Sequence, residues 1–364
     1  MARLWPTLLL VLTLGIAPAG AQQQERTEIR VGVLQYGTVQ WLLEVVQDLD
    51  LARARGVDLT VVPLAQPGAS TTALTTALEE GAVDMIVSDW LWVSRQRAAG
   101  GDYTFVPYSL AVGGLLVHPL AEIDTLADLA GRTIGVAGGP VDKSWLLLRA
   151  YTKRTLGWDI ARRAEVRFAA PPLLNKLILD QELPAVLNFW HYGARLKAVG
   201  MEELIGVREI LPALGVAGDV PLLGWVFRED WALANRQAVE AFIEATRTGQ
   251  QLMKESDALW DLIQPLIGVD DQATLVALRE GYRAGIPESF AEAEIAAAQR
   301  VYELLAAEGG AELVGASTTL APGTFWTPEA DRIFRLLPYG MKEEGLLPDG
   351  AARNPPGGEA AQDP

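Results

Sequence analysis

The chain has 364 residues, of which 50% are hydrophobic and 21% charged, with a formal net charge of −16 and no cysteine. That length supports two domains with full cores, and the composition is that of a folded chain. The charge excludes a nucleic-acid partner, because no basic surface is left to displace phosphate counterions, and it disfavours docking on an anionic membrane.

Residues 1–21 read as a cleavable signal peptide. Arg3 supplies the positive start, Leu8 to Ile16 is an apolar run too short to span a bilayer, and Ala19-Gly20-Ala21 gives small residues at the cleavage point. Without cysteine there is neither a lipid-attachment site nor a disulfide framework. The expectation is a soluble periplasmic monomer. Ile29 to Leu34 then predicts a strand, and the apolar spacing of Trp41, Leu42, Val45, Val46 and Leu49 predicts a helix. Asp58 to Leu64 is a second strand, Ser70 caps a helix to Leu78, and Gly81 ends it before a third strand, Val83 to Val87. Strand–helix alternation of this kind predicts a parallel sheet covered on both faces.

The same order then recurs. Thr133 to Ala137, Ala164 to Phe168 and Ala185 to Leu187 read as strands, with helices at Ser144 to Tyr151 and Leu173 to Leu179. The segments GAVDMIVSDW and QELPAVLNFW align without a gap, which sets Ser88-Asp89-Trp90 against Asn188-Phe189-Trp190. Tyr103 to Val117, carrying Gly113-Gly114, and Pro221 to Phe227 are the two connections that a two-lobed hinged protein needs. Beyond Glu229 the pattern is helical: Trp231 to Lys254 is amphipathic, Ser289-Phe-Ala-Glu292 reads as a capping box, and Thr327-Pro328-Glu329 opens a further helix. The fold class is therefore α/β, with two lobes, two crossovers and a helical C-terminal region. Lobe 1 is expected over 28–113 and 219–345, lobe 2 over 114–218, and a disordered tail over 346–364.

Catalytic signals are poor. Two histidines and no cysteine leave no zinc or copper pattern, and neither a nucleophile elbow nor a phosphate-binding loop is present. Gly135-Val-Ala-Gly-Gly139 does not spell a dinucleotide fingerprint, so no metal and no cofactor is expected. Ligands of parallel α/β sheets bind outside the carboxyl ends of the strands. The residues there define the expected ligand site: Tyr36, Trp41, Ser70, Ser88, Asp89, Trp90, Asp142, Lys143, Ser144, Asn188, Trp190 and His191. Aromatic faces with a few polar groups suit a small organic molecule. Trp92 and Trp145 read as core, Trp90 and Trp190 as cleft.

The signal peptide, "IRVGVLQYG", "ALTTALEEGAVDMIVSD", "IDTLADLAGRTIGVAGG" and "LLNKLILDQELPAVLNFW" together resemble the periplasmic solute-binding proteins of ABC importers. The branch is the one with nitrate-, sulfonate-, taurine- and thiamine-precursor-binding members, of the type II periplasmic-binding-protein fold. The resemblance implies hinge closure on a heterocyclic or sulfonate-like ligand and delivery to an ABC permease in the inner membrane. It carries site positions onto Tyr36, Ser70, Ser88 to Trp90, Asp142 to Ser144 and Asn188 to His191. This chain departs from the family at Pro184, where an acid is usual, at His191-Tyr192, where an acid and a proline are common, and at Asp89, where a small residue is common. A periplasmic sensor and an enzyme on the same fold are the alternatives. The export signal and the lack of a base–nucleophile pair speak against the enzyme.

Overall fold

The computed structural model describes residues 26–34, 37–64 and 71–326. The signal peptide, Tyr36, Ser70, the helix expected from Thr327 and the tail lie outside the described residues. Ten strands are present among those described: β1 Thr27–Leu34, β2 Val57–Leu64, β3 Met85–Asp89, β4 Tyr103–Ser109, β5 Gly114–Val117, β6 Thr133–Val136, β7 Glu165–Phe168, β8 Ala185–Asn188, β9 Glu202–Gly206 and β10 Leu223–Arg228. The first helices are α1 Val39–Asp48, α2 Thr71–Glu79, α3 Trp90–Ala98, α4 Lys143–Leu156, α5 Ile160–Arg163, α6 Pro171–Leu179 and α7 Trp190–Ala198. There follow α8 Val207–Ile210, α9 Glu229–Ala234, α10 Arg236–Glu255, α11 Ala258–Ile267, α12 Gln272–Ala284 and α13 Glu292–Val314.

The strands form two five-stranded sheets, in the orders β2-β1-β3-β10-β4 and β7-β6-β8-β5-β9. In each sheet four strands run one way and one is reversed, β10 in the first and β5 in the second. The reversed strand is in each case the one by which the chain enters that sheet from the other. The buried strands β3 and β8 are continuous apolar runs up to their last residues, because helices cover both of their faces. The two-lobed α/β fold expected from the sequence is thus present.

The sequence repeat is a repeat of architecture in register. Thr71–Glu79, Met85–Asp89 and Trp90–Ala98 recur as Pro171–Leu179, Ala185–Asn188 and Trp190–Ala198. The turn that ends each helix uses the left-handed region at the same place, Gly81 at φ 72° and Gln181 at φ 59°. The two copies diverge just before the third strand. Asp84 accepts from the backbone N–H and the guanidinium of Arg30, which ties β1 to the start of β3. The matching Pro184 offers only its carbonyl, to which the His118 N–H donates.

Register places both crossings on one side. Leu223, which opens β10, pairs with Asp89 and Ser109 at the carboxyl ends of β3 and β4. Gly114, which opens β5, pairs with Asn188 and Gly206 at the carboxyl ends of β8 and β9. The two sheets therefore face each other across their strand carboxyl ends, with residues 110–113 and 207–222 joining them there. The passage is tight, since a Cβ on Gly113 would lie 2.0 Å from the Asn188 carbonyl oxygen.

The C-terminal helices bind the halves together. One core cluster runs from α2 and α3 through Tyr302 and Leu305 of α13 to Trp145 to Leu148 of α4. Glu308 on α13 accepts from Lys153 on α4 at 2.6 Å. Two expectations here are corrected. The helix expected from Trp231 to Lys254 is broken at Asn235 into α9 and α10. The capping box expected at Ser289–Glu292 is not formed; Ala291 is the N-cap, its N–H donates to Glu294 at 2.7 Å, and the Ser289 hydroxyl donates to the same carboxylate.

Candidate functional site at the facing strand ends

Asp89 is the last residue of β3 and the N-cap of α3, where its carboxylate accepts from the Trp92 N–H at 2.8 Å. An acid suits a helix N-terminus, where free N–H groups and the helix dipole both favour negative charge. Its other oxygen accepts from the Lys143 ammonium at 3.0 Å. Lys143 opens α4 beside the second sheet, so this pair bridges the two lobes. Burial works to raise the Asp89 carboxyl, but the Lys143 charge and the Trp92 N–H outweigh it and hold the carboxyl below its ordinary value. Burial likewise works to lower the Lys143 ammonium, and Asp89 and Asp142 overcome it to raise the group. Both residues are charged at neutral pH.

Asp142 caps α4, accepting from the Ser144 and Trp145 N–H groups at 2.9 and 3.2 Å. Burial pushes its carboxyl up, which makes it a less committed anion than Asp89. The Asp142 N–H donates to the Gly139 carbonyl at 3.1 Å, and the N–H groups of Ser144 and Trp145 are taken by the Asp142 side chain, so these donors of the turn are not free for a ligand. Ser88 and Ser144 are themselves buried.

The second bridge is aromatic. Trp41 of α1 meets Trp190 of α7 edge to face, with ring centroids 6.1 Å apart. Behind them Trp260 and Tyr282 complete a cluster at 6.0 and 6.3 Å from Trp41. Tyr282 and Trp260 come from α12 and α11, more than 200 residues beyond Trp41 in the chain, and nothing in the local sequence marks them. The only advance signal is that the C-terminal helices are amphipathic and so must cover something. His191 packs its ring against Trp190 at 5.5 Å and Tyr192 at 4.5 Å. Its Nδ1 is buried with no hydrogen-bond partner among the described residues. Burial, with Arg195 adding to it, lowers the imidazole to about 4, so His191 is neutral at physiological pH. The buried hydroxyls of Tyr108 and Tyr282 influence each other's ionisation, and neither has a hydrogen-bond partner among the described residues.

Two expected site residues are corrected. Trp90 has no exposed surface: its ring packs on Tyr302 and Phe325, and its indole N–H donates to the Pro221 carbonyl at 2.9 Å. It braces the second crossing from behind rather than walling the cleft. The Asn188 amide is spent within its own lobe. Its NH2 donates to the Pro171 carbonyl at 3.1 Å and to Asn175 Oδ1 at 2.8 Å, and its oxygen accepts from the Phe189 N–H at 2.9 Å. Trp145 is buried, as read from the sequence, and Trp92 is half-buried against Tyr103 at 4.9 Å. Among the described residues no group of three His, Asp or Glu side chains could hold a metal ion.

The NMT1/THI5-like family profile matches residues 52–257, more than half of the chain. The chain belongs to the NMT1/THI5-like family. The match spans Asp89, Lys143 and Trp190, whereas Trp41, Trp260 and Tyr282 lie outside it. The fold resembles that of several proteins of known structure. The periplasmic aliphatic sulphonate-binding protein SsuA of Escherichia coli matches with a TM-score of 0.64 at 18% identity, over 84% of this chain and 99% of that one. The alkanesulfonate-binding protein SsuA of Xanthomonas axonopodis pv. citri, bound to MOPS, matches with a TM-score of 0.63 at 17% identity, over 83% and 99%. The desulfurization enzyme DSZB matches less well, with a TM-score of 0.55 at 13% identity, over 82% and 98%. At these identities the likeness is one of fold. No curated protein matched the chain by sequence.

Proposed function

We propose that this protein is the periplasmic solute-binding component of an ABC importer, capturing a small organic ligand between its lobes and delivering it to an inner-membrane permease. The observation that carries the reading is the pair of contacts joining the lobes at the facing strand ends, Asp89–Lys143 and Trp41–Trp190. Ligands of α/β sheets bind at such ends, and rings with a few convergent polar groups suit a small molecule. Family membership and the SsuA neighbours support the same reading. The DSZB neighbour keeps catalysis on this fold in view. Against it, no nucleophile–base pair stands at the seam, and His191 makes no hydrogen bond to a nucleophile among the described residues.

In this reading lobe 1 comprises 28–113 and 219–345, and lobe 2 comprises 114–218. The structure corresponds to closed lobes, and opening is a rotation about the edge where residues 110–113 and 207–222 join the sheets, with Trp90 as a brace. Closure then presents a joined surface to the permease, because a ligand that contacts both lobes favours the closed state by its differential affinity. Trp41, Asp89, Lys143, Trp190 and His191 line the cleft. The test is native mass spectrometry of the mature protein followed by thermal-shift screening with the released compound. A bound small molecule that stabilises the protein supports the proposal. A protein that carries none and is stabilised by no heterocycle or sulfonate contradicts it.

A further inference from the structure

Resting on that reading, we infer that the cleft selects an uncharged organic ligand and rejects sulfonates and other monoanions, because its cation is already neutralised across the seam. An anion site needs a fixed positive charge or a set of free N–H donors. Lys143 is the basic side chain at the facing strand ends, and its ammonium is held by Asp89 at 3.0 Å. The pair is sheltered, with side-chain exposures of 26% for Lys143 and 16% for Asp89. Asp142, next in the chain to Lys143, adds a second acid, so even with the Arg95 charge acting on Asp89 the formal balance at the seam is not positive.

The remaining basic groups nearby are turned elsewhere. Arg195 on α7 donates to the Ile267 carbonyl at 3.3 Å, and Arg95 on α3 reaches toward the Leu313 carbonyl. The N–H groups of Ser144 and Trp145, which would otherwise form an anion cradle at the start of α4, are capped by Asp142. What the aromatic cluster does offer is uncharged: the Tyr108 and Tyr282 hydroxyls, the neutral His191 Nδ1 and the faces of Trp41 and Trp190. Such a lining holds a neutral body between rings and satisfies its hydrogen bonds without charge. Admitting a sulfonate would place it beside two carboxylates and require the Asp89–Lys143 pair to break. The likeness of fold to the SsuA proteins therefore does not extend to the charge of the ligand.

Benzenesulfonate and benzenesulfonamide test this directly, because they share a shape and differ in charge at neutral pH. Both are titrated into the mature protein, stripped of bound material, by calorimetry at low salt. The wild type is expected to bind the sulfonamide and not the sulfonate. Asp89→Asn keeps the helix cap, since asparagine caps as well as aspartate, and frees the Lys143 charge. This variant is expected to bind benzenesulfonate roughly tenfold or more tightly than the wild type does, and Asp89→Asn/Lys143→Met is expected to lose that gain. Equal or preferential binding of the sulfonate by the wild type overturns the inference while leaving the solute-binding role intact. If neither probe binds the wild type, a new sulfonate response in Asp89→Asn supports the inference and its absence overturns it.

Discussion

Replacing Asn188 by alanine separates a structural amide from a ligand contact. The side chain is 1% exposed and makes three hydrogen bonds, to Pro171, Asn175 and Phe189. These tie the end of β8 to the start of α6. At about 1 kcal/mol net for each bond, their loss costs about 3 kcal/mol, and the Asn175 oxygen and Phe189 N–H left behind in a buried place keep the figure from falling much below that. Ser88, at the matching place in the first lobe, has no side-chain hydrogen bond among the described residues, so Ser88→Ala is the control and is expected to cost under about 1 kcal/mol. Urea unfolding followed by circular dichroism measures both, with a thermal-shift titration of ligand alongside. The expected result is a large loss of stability for Asn188→Ala with ligand affinity unchanged in the folded fraction. A loss under about 1 kcal/mol together with weakened ligand binding would refute the assignment and return Asn188 to the cleft.

Three further outcomes follow from named contacts. His191 is held neutral with its imidazole lowered to about 4, while the unfolded chain titrates near about 6.5. The unfolded state therefore binds more protons between those values, stability falls as pH drops through that window, and His191→Gln is expected to flatten the fall in a pH series of unfolding midpoints. Gly113→Ala drives a Cβ to within 2.0 Å of the Asn188 carbonyl oxygen, so a loss of about 1–3 kcal/mol is expected from the same unfolding assay; a neutral result would mean that the crossing has room to shift. Trp90→Phe removes the hydrogen bond to the Pro221 carbonyl and is expected to cost about 1–2 kcal/mol, with ligand affinity unaltered in calorimetry.

The sheets were legible because their inner strands are uninterrupted apolar runs ending in polar residues, as in Met85 to Asp89, and because the same run recurs at Ala185 to Asn188. The capping roles of Asp89 and Asp142 were not read from the sequence, which marked both only as ligand-site residues. What the sequence conceals is which residue a distant element covers. Trp90 and Trp190 occupy the same place in the two copies, yet α13 and Phe325 bury the first, while α1 and α12 make the second part of a ring cluster joining the lobes. The two asides of the aromatic cluster that local reading missed, Trp260 and Tyr282, arrive from helices whose docking is decided by tertiary packing. The strand Glu202–Gly206 also escaped notice, because its exposed, acid-rich start hides the alternation expected of an edge strand.

The proposed function requires two lobes that part and close around a ligand at the Asp89–Lys143 and Trp41–Trp190 contacts. Small-angle X-ray scattering of the mature protein, before and after its bound compound is stripped, measures that most directly. A radius of gyration that rises on stripping and returns when the compound is restored is the predicted result. The same radius in all three samples, with the compound shown by calorimetry to bind, would contradict it.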